Sequence, residues 1–176
     1  METPVVTLDE ITLPAGILRY LSDEIEKVSD KHSSIRSLQK TGYQAGSVAH
    51  KAFDEGIDGP VLEIMQSIFW KYFCDFFSLR GWGTLVVNLD QPEVGYLSTN
   101  NWAEAMTDEI RRNASCCFST GFISGLLSKI AESPIAVLET KCRARGDKAC
   151  EFAFGSERVV RQLYGKLVAD ADLTTT

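Results

Sequence analysis

The segment 61–79 constrains the fold more than any other part of the chain, because its spacing is helical and it is apolar over most of its circumference. One stripe comprises Leu62, Met65, Phe69, Tyr72, Phe76 and Leu79. A second side carries Trp70, Phe73, Cys74 and Phe77. A helix that is apolar on several sides has to be buried on several sides. We therefore predict a central core helix, whose aromatic side chains could also line a ligand cavity or a subunit interface.

Other helices and two hairpins are predicted around this core helix. Apolar residues at helical spacing predict helices over about 15–28, 35–53, 111–132 and 156–169. Gly42 and Gly46, one turn apart in the second helix, would permit close approach of a neighbouring backbone. Runs of β-branched and apolar residues predict two antiparallel pairs, 84–89 with 94–97 and 135–143 with 150–154.

This order of elements predicts an α+β domain in which N-terminal helices pack with a mainly antiparallel sheet. A chain of 176 residues fits one domain, since a second core would leave each half near the practical minimum size. We expect an N-terminal extension over 1–14, the domain over 15–169 and a flexible tail over 170–176.

The composition excludes several classes of partner. A formal charge of −6 argues against nucleic acid, which requires a basic face. No stretch approaches the ~18 uncharged apolar residues that cross a membrane. The N-terminus has neither the basic region nor the apolar region of an export signal. A cytoplasmic protein without a membrane span is the expectation.

Two cysteines near the C-terminus are placed to share an ion. Cys142 and Cys150 flank a connection that contains the turn Gly146-Asp147, so they should lie nearly opposite each other in a hairpin. Zinc in a structural role takes four ligands in a tetrahedron, so two further donors are needed.

Glu139 and a cysteine of the fourth predicted helix are the candidates for those donors. Cys116 lies on a largely apolar stripe that should face the sheet, whereas Cys117 lies on a small, polar stripe, so periodicity favours Cys116 and leaves Cys117 as the alternative. Glu139 is an acid in an apolar run. On an ideal strand, however, Glu139 and Cys142 point to opposite faces, and a bulge or a strong twist would be needed between them.

The sequence resembles the 4-vinyl reductase domain family. The resemblance lies in Gly121-Phe-Ile-Ser-Gly125, Val137-Leu-Glu139-Thr-Lys-Cys142, Gly146-Asp147 and Cys150-Glu-Phe152. The earlier stretch Leu38-Gln-Lys-Thr-Gly42-Tyr43-Gln-Ala-Gly46 resembles the Gly-Tyr-x-x-Gly helix of TRAPP vesicle-tethering subunits. The resemblance implies an α/β ligand-binding fold, a homodimer and a hydrophobic pocket between helices and sheet.

The resemblance also implies a ligand set for the metal. In the family's sensors for aromatic compounds, zinc is held by a helix cysteine, a glutamate and two hairpin cysteines, which match Cys116, Glu139, Cys142 and Cys150 here. Four protein donors would close the site to water, so this zinc would be structural.

Three functions follow as hypotheses. The first is a non-catalytic carrier or sensor for a hydrophobic planar molecule, a tetrapyrrole such as a chlorophyll precursor before an aromatic hydrocarbon or a lipid. Its predicted lining is Phe69, Trp70, Phe73, Phe77, Trp82, Tyr96 and Trp102. The second is an assembly factor that uses the same dimeric fold to contact a partner protein. The third, a reductase acting on a tetrapyrrole vinyl group, lacks support because no Gly-x-Gly-x-x-Gly nucleotide-binding motif is present.

Overall fold

The computed structural model describes residues 11–57, 65–106, 110 and 116–173. Within them the chain forms five α-helices and four β-strands. The helices are α1 (Ile17–Val28), α2 (Lys31–Glu55), α3 (Gln66–Leu79), α4 (Cys117–Ile130) and α5 (Glu157–Leu173). The strands are β1 (Val86–Asn88), β2 (Val94–Thr99), β3 (Ala136–Lys141) and β4 (Cys150–Gly155). Short 3₁₀ turns cover Ala103–Ala105 and Arg143–Arg145.

The four strands form one antiparallel sheet in the order β1-β2-β4-β3. Each predicted hairpin is present, and the two hairpins join through β2 and β4. Leu97 pairs with Phe152, and both side chains are fully buried on the face that carries the core. Helices and antiparallel strands therefore combine in the predicted α+β class.

The crossing of α2 and α4 is built from four glycines. A Cβ at Gly42 or Gly46 would lie 2.1 or 2.0 Å from a backbone oxygen of α4. A Cβ at Gly121 or Gly125 would lie 2.0 or 2.1 Å from a backbone oxygen of α2. The two backbones are in contact because no side chain lies between them, which confirms the close approach predicted for Gly42 and Gly46.

The predicted core helix is central to the packing. Phe73, Phe76 and Phe77 of α3 are essentially inaccessible to solvent, and they pack with Phe53 of α2 and with the sheet. The first part of the prediction, residues 61–64, lies outside the described residues, and α3 is described from Gln66.

Several boundaries differ from prediction for local reasons. α2 begins at Lys31 rather than near Ile35, because the Asp30 side chain accepts a hydrogen bond from the Ser33 amide (3.0 Å) and caps the helix. α5 continues to Leu173, past the predicted end near residue 169. None of the described helices combines the length and the apolar composition that crossing a membrane requires.

Candidate metal centre and the neighbouring groove

Four side chains from three parts of the chain converge at one end of α4. The sulfurs of Cys116, Cys142 and Cys150 and a carboxylate oxygen of Glu139 all lie within 4.8 Å of one another. The Sγ atoms of Cys116 and Cys142 are 3.9 Å apart. We call these four residues the Cys₃Glu cluster. Glu139 comes from β3, Cys142 directly follows it, Cys150 opens β4 and Cys116 precedes α4.

A β-bulge brings Glu139 and Cys142 to the same side of the sheet. Glu139 pairs with Phe152, but Lys141 pairs with Glu151, so Thr140 is an extra residue in β3. The Thr140 hydroxyl donates to the Glu151 carboxylate (2.8 Å), which holds the extra residue in place. The sequence indicated that a bulge or twist was needed, and the structure has the bulge.

Cys116, and not Cys117, contributes its sulfur to the cluster. Cys116 is the N-cap residue of α4 and is fully buried, whereas Cys117 begins the helix and is half-buried. Periodicity had placed Cys116 inside the helix, on its sheet-facing stripe. Because it instead occupies the cap, the direction of its side chain is set by its own non-helical backbone (φ −90°, ψ 46°) rather than by the helical repeat.

Backbone amides and a turn support the cluster. The Cys116 amide donates to Glu139 Oε2, and the Arg143 amide donates to Cys150 Sγ, each at 3.4 Å. The Cys142 amide donates to Asp147 Oδ2 (2.8 Å). The turn between these residues closes through Gly146, whose φ of +101° is open to glycine at little cost.

Without an ion, the cluster retains its protons. Burial, followed by the nearby Cys142, raises the pKa of Glu139 to about 9. Hydrogen bonds with the Cys142 and Cys150 thiols, together with burial, raise the pKa of Cys116 well above its ordinary value. For Cys150 the hydrogen bond with Cys116 acts downwards, but the Cys142 contact and burial prevail and raise the pKa to about 12. Each group is thus held in its neutral form unless a positive charge is present.

The residues fit a metal ion. Glu139 Oε1 is buried and has no hydrogen-bond partner, an arrangement that is costly unless a cation or a water occupies the site. Three sulfurs and one carboxylate oxygen form a donor set suited to zinc. A tetrahedron with Zn–S bonds of about 2.3 Å has S···S edges of about 3.8 Å, close to the 3.9 Å between Cys116 and Cys142. The cluster could therefore hold a metal with little rearrangement.

Six of the seven aromatic residues predicted to line a pocket pack against one another. Phe73, Phe77 and Trp102 are fully buried, and Phe69, Trp70 and Trp82 pack around them. Tyr96 pairs with Ala153 and so points away from the face that carries Leu97 and Phe152. The structure brings the six together and leaves Tyr96 apart from them.

A groove lies beside this aromatic cluster. It has a volume of about 970 Å³ and is bounded by α2, the end of α3, Phe122 of α4 and residues 11–13. Phe76, Trp82 and Phe122 contribute rings, and Ala45 and Val48 of α2 form part of the wall. Of the seven predicted lining residues, Trp82 is among those that border the groove. Its ring packs on Phe122 with centroids 4.9 Å apart, so it joins the groove to the aromatic cluster.

Glu104 is a residue that the sequence reasoning missed. It lies in a segment predicted as loop, yet it is only 3% exposed, and burial raises its pKa to about 7. Its flanking residues, Trp102-Ala103 and Ala105-Met106, are apolar. An acid in an apolar run singled out Glu139, and the same signal was present for Glu104.

Comparisons with known proteins identify the segment that holds the cluster. The model of the 4-vinyl reductase domain family matches residues 108–156. The family resemblance drawn from the sequence is confirmed. The matched segment of this 4-vinyl reductase domain includes α4, β3 and β4 and contains all four residues of the Cys₃Glu cluster.

A curated relative matches part of the chain. Uncharacterized protein MJ0745 of Methanocaldococcus jannaschii is 36% identical over 77 residues. That alignment covers 44% of this chain and 41% of the relative, so the chain matches less than half the length of that protein.

Solved structures share the fold at low sequence identity. The phenol-responsive sensory domain of the transcription activator PoxR, with phenol, has a TM-score of 0.70 at 13% identity, covering 88% of this chain and 82% of that one. A trafficking protein particle complex subunit 3 from Naegleria fowleri, covalently bound to palmitic acid, has a TM-score of 0.68 at 15% identity, covering 80% and 91%. A vinyl-4-reductase family protein from M. jannaschii has a TM-score of 0.52 at 16% identity, covering 82% and 81%. The fold that the resemblance implied is thereby confirmed as well.

Proposed function

We propose that this 4-vinyl reductase domain is a non-catalytic carrier or sensor that holds a hydrophobic planar small molecule and is stabilised by a structural zinc ion. The observation that carries this proposal is the pairing of a closed four-donor cluster with an open, ring-lined groove that borders the same helix, α4. A tetrapyrrole is the first ligand class, and an aromatic hydrocarbon or a lipid is the next.

The zinc assignment rests on the donors. Cys116, Glu139, Cys142 and Cys150 would fill a tetrahedral shell and leave no position for a water nucleophile, which suits a structural ion. The ion would supply the positive charge that the buried carboxylate and thiols lack. It would also tie the first turn of α4 to the β3–β4 hairpin, so that metal binding and folding are coupled.

Elemental analysis and native mass spectrometry of the same sample test the metal. We expect about one zinc per chain. Cys142→Ser should lose the ion and several kcal/mol of stability, since the free energy of binding contributes to folding. Cys74→Ser is the matched control, because Cys74 is half-buried on α3 outside the cluster and should leave the zinc content unchanged. A metal-free wild-type protein that is stable would contradict the assignment.

The ligand assignment rests on the groove and on the neighbours. The groove lies within the size range of small-molecule sites, roughly 300–1,000 Å³, and combines aromatic rings with a few polar side chains. Proteins that share the fold hold phenol and palmitic acid, as their structures record. A planar ring system could stack on Trp82, which is partly exposed to the groove.

Titration with protoporphyrin IX, followed by quenching of tryptophan fluorescence, tests the ligand class. Val48→Asp places a charge in the groove wall and should weaken binding at least about tenfold, because the carboxylate would be desolvated by the bound ring system. Val28→Asp is the control, since Val28 is also exposed but lies on α1 and outside the groove lining. Equal affinity for both variants would exclude the groove. Binding of palmitate but not of the porphyrin would replace the tetrapyrrole by a lipid.

A homodimer that also serves as an assembly surface is the second candidate. α1 is strongly amphipathic, yet Leu21 and Val28 of its apolar stripe are 49% and 85% exposed in the single chain. Light scattering of the purified protein tests this arrangement. A monomer at micromolar concentration that Leu21→Glu leaves unchanged would argue against it.

A further inference from the structure

A buried carboxylate outside the Cys₃Glu cluster holds the helix that presents Cys116. Glu104 Oε1 accepts the Phe118 amide (3.0 Å), and Oε2 accepts the Ser119 amide (2.8 Å) and the Ser119 hydroxyl. Phe118 and Ser119 are the second and third residues of α4. These two amides have no acceptor within the helix, because the first turn lies before the backbone ladder begins.

In most helices the N-cap side chain accepts one of these amides. The N-cap of α4 is Cys116, and its side chain makes no such bond. Its sulfur is instead directed into the cluster, 3.9 Å from Cys142 Sγ. One side chain cannot serve both as a metal ligand and as the helix cap. Glu104 supplies the missing acceptors from a separate segment, and its negative charge matches the positive end of the helix dipole.

The geometry points to Glu104 as a positioning residue of the metal site, which caps α4 in place of Cys116 and thereby leaves the Cys116 thiolate free to bind the ion. This inference rests on the proposed metal site. The Cys116 amide is directed in turn to Glu139 Oε2, so two carboxylates hold the first turn, one on each side of Cys116. Outer residues that orient ligands typically change metal affinity by about 10- to 100-fold.

A second contact fixes Glu104 in the core. The indole Nε1 of Trp102 donates to the Ser119 hydroxyl oxygen (2.7 Å), and that hydroxyl donates to Glu104. The hydroxyl is thereby oriented in one direction, which leaves Oε2 with two charge-assisted donors. The position of the carboxylate is set by buried groups at both ends, so it is not free to swing away from the helix.

Cobalt(II) is the probe for this inference, because its visible absorption reports the number and geometry of thiolate ligands. We expect wild-type protein to give an intense tetrahedral spectrum with sulfur-to-metal charge-transfer bands. Glu104→Ala should weaken Co²⁺ affinity by about 10- to 100-fold and alter the bands, because α4 loses its cap and Cys116 is displaced. Glu104→Gln, which retains one acceptor oxygen, should give an intermediate affinity.

Asp30→Ala is the matched control. Asp30 caps α2 through the Ser33 amide and hydroxyl, so its loss also removes a helix cap, but from a helix that carries no ligand. We expect Asp30→Ala to lower stability and to leave the Co²⁺ spectrum and affinity unchanged. Should Glu104→Ala fail to fold, Glu104→Gln carries the comparison.

The outcomes separate this inference from the proposed function. Wild-type Co²⁺ affinity and spectrum in Glu104→Ala and Glu104→Gln would overturn the positioning role and leave the metal site intact. A wild-type protein that binds no Co²⁺ would overturn both the metal site and the role of Glu104. The same loss of affinity in Asp30→Ala would reduce the effect to general destabilisation and would also overturn the inference.

Discussion

Replacing Gly46 with alanine would place a methyl group inside the crossing of α2 and α4. The added Cβ would lie 2.0 Å from the Phe122 carbonyl oxygen and 3.0 Å from the Leu126 nitrogen. Ordinary contact begins at 3.4 Å, so the helices would have to separate by about 1.4 Å. Both neighbouring atoms belong to helical backbone, which cannot rotate away as a side chain would.

The expected cost follows from two opposing terms. Overpacking of a rigid site costs typically about 1–3 kcal/mol, and the backbone neighbours place this one near the upper end. Alanine in a helix is favoured over glycine by about 1 kcal/mol. We therefore expect Gly46→Ala to lower the free energy of unfolding by about 2 kcal/mol.

Urea denaturation followed by tryptophan fluorescence, at a fixed zinc concentration, measures this change. Gly165→Ala is the matched control, because Gly165 lies exposed in α5 and an added Cβ there meets nothing within 4 Å. The control should stabilise the protein by about 0.5–1 kcal/mol through helix propensity alone. If both substitutions stabilised the protein alike, the backbone contact at the α2–α4 crossing would be refuted.

Three further predictions concern the metal and the ligand. Cys116→Ser should abolish zinc binding while Cys117→Ser retains it, as measured by elemental analysis; the reverse result would mean that the wrong neighbour was chosen. Zinc binding at pH 7 should release the protons of Cys116, Cys150 and Glu139, because the pKa of each is raised above 7 in the metal-free protein, and calorimetry in two buffers of different ionisation enthalpy counts them. For the same reason zinc affinity should fall as the pH is lowered, and a pH-independent affinity would contradict the raised pKa values. Removing zinc with a chelator should weaken protoporphyrin IX binding, because Phe122 of the groove lies on the helix that the ion would anchor, and unchanged porphyrin affinity would show that the two sites are independent.

The sequence predicted those features that depend on local pattern. The all-round apolar composition of the third helix indicated a core position, and Phe73, Phe76 and Phe77 occupy it. Spacing also predicted both hairpins and favoured Cys116 over Cys117. These signals work because helical and strand periodicities are fixed by backbone geometry, so the buried face can be counted from the residues themselves.

Features that depend on contacts between distant segments were not predictable in the same way. A bulge was required by the parity of Glu139 and Cys142, but its location at Thr140 depends on the pairing register with β4. Glu104 acquires its role from α4, more than ten residues further along the chain, and nothing local marks a segment that caps a later helix. The groove likewise depends on how α2 and α3 are placed, whereas aromatic composition alone pointed to residues that fill the core.

The arrangement of the cluster favours a structural ion over a catalytic one. Its four donors are fixed by different devices: a bulge for Glu139, a tight turn for Cys142 and Cys150, and a capped helix for Cys116. Each device restricts the backbone, so the donors are arranged before an ion arrives, and the entropy lost on binding is small. A catalytic zinc needs a position that can be vacated for substrate. Here every donor is a buried protein side chain, and the groove that could admit a small molecule is lined by Phe122 and Trp82 rather than by cluster residues. An ion in this place would therefore hold α4 against the sheet, and α4 in turn would hold one wall of the groove.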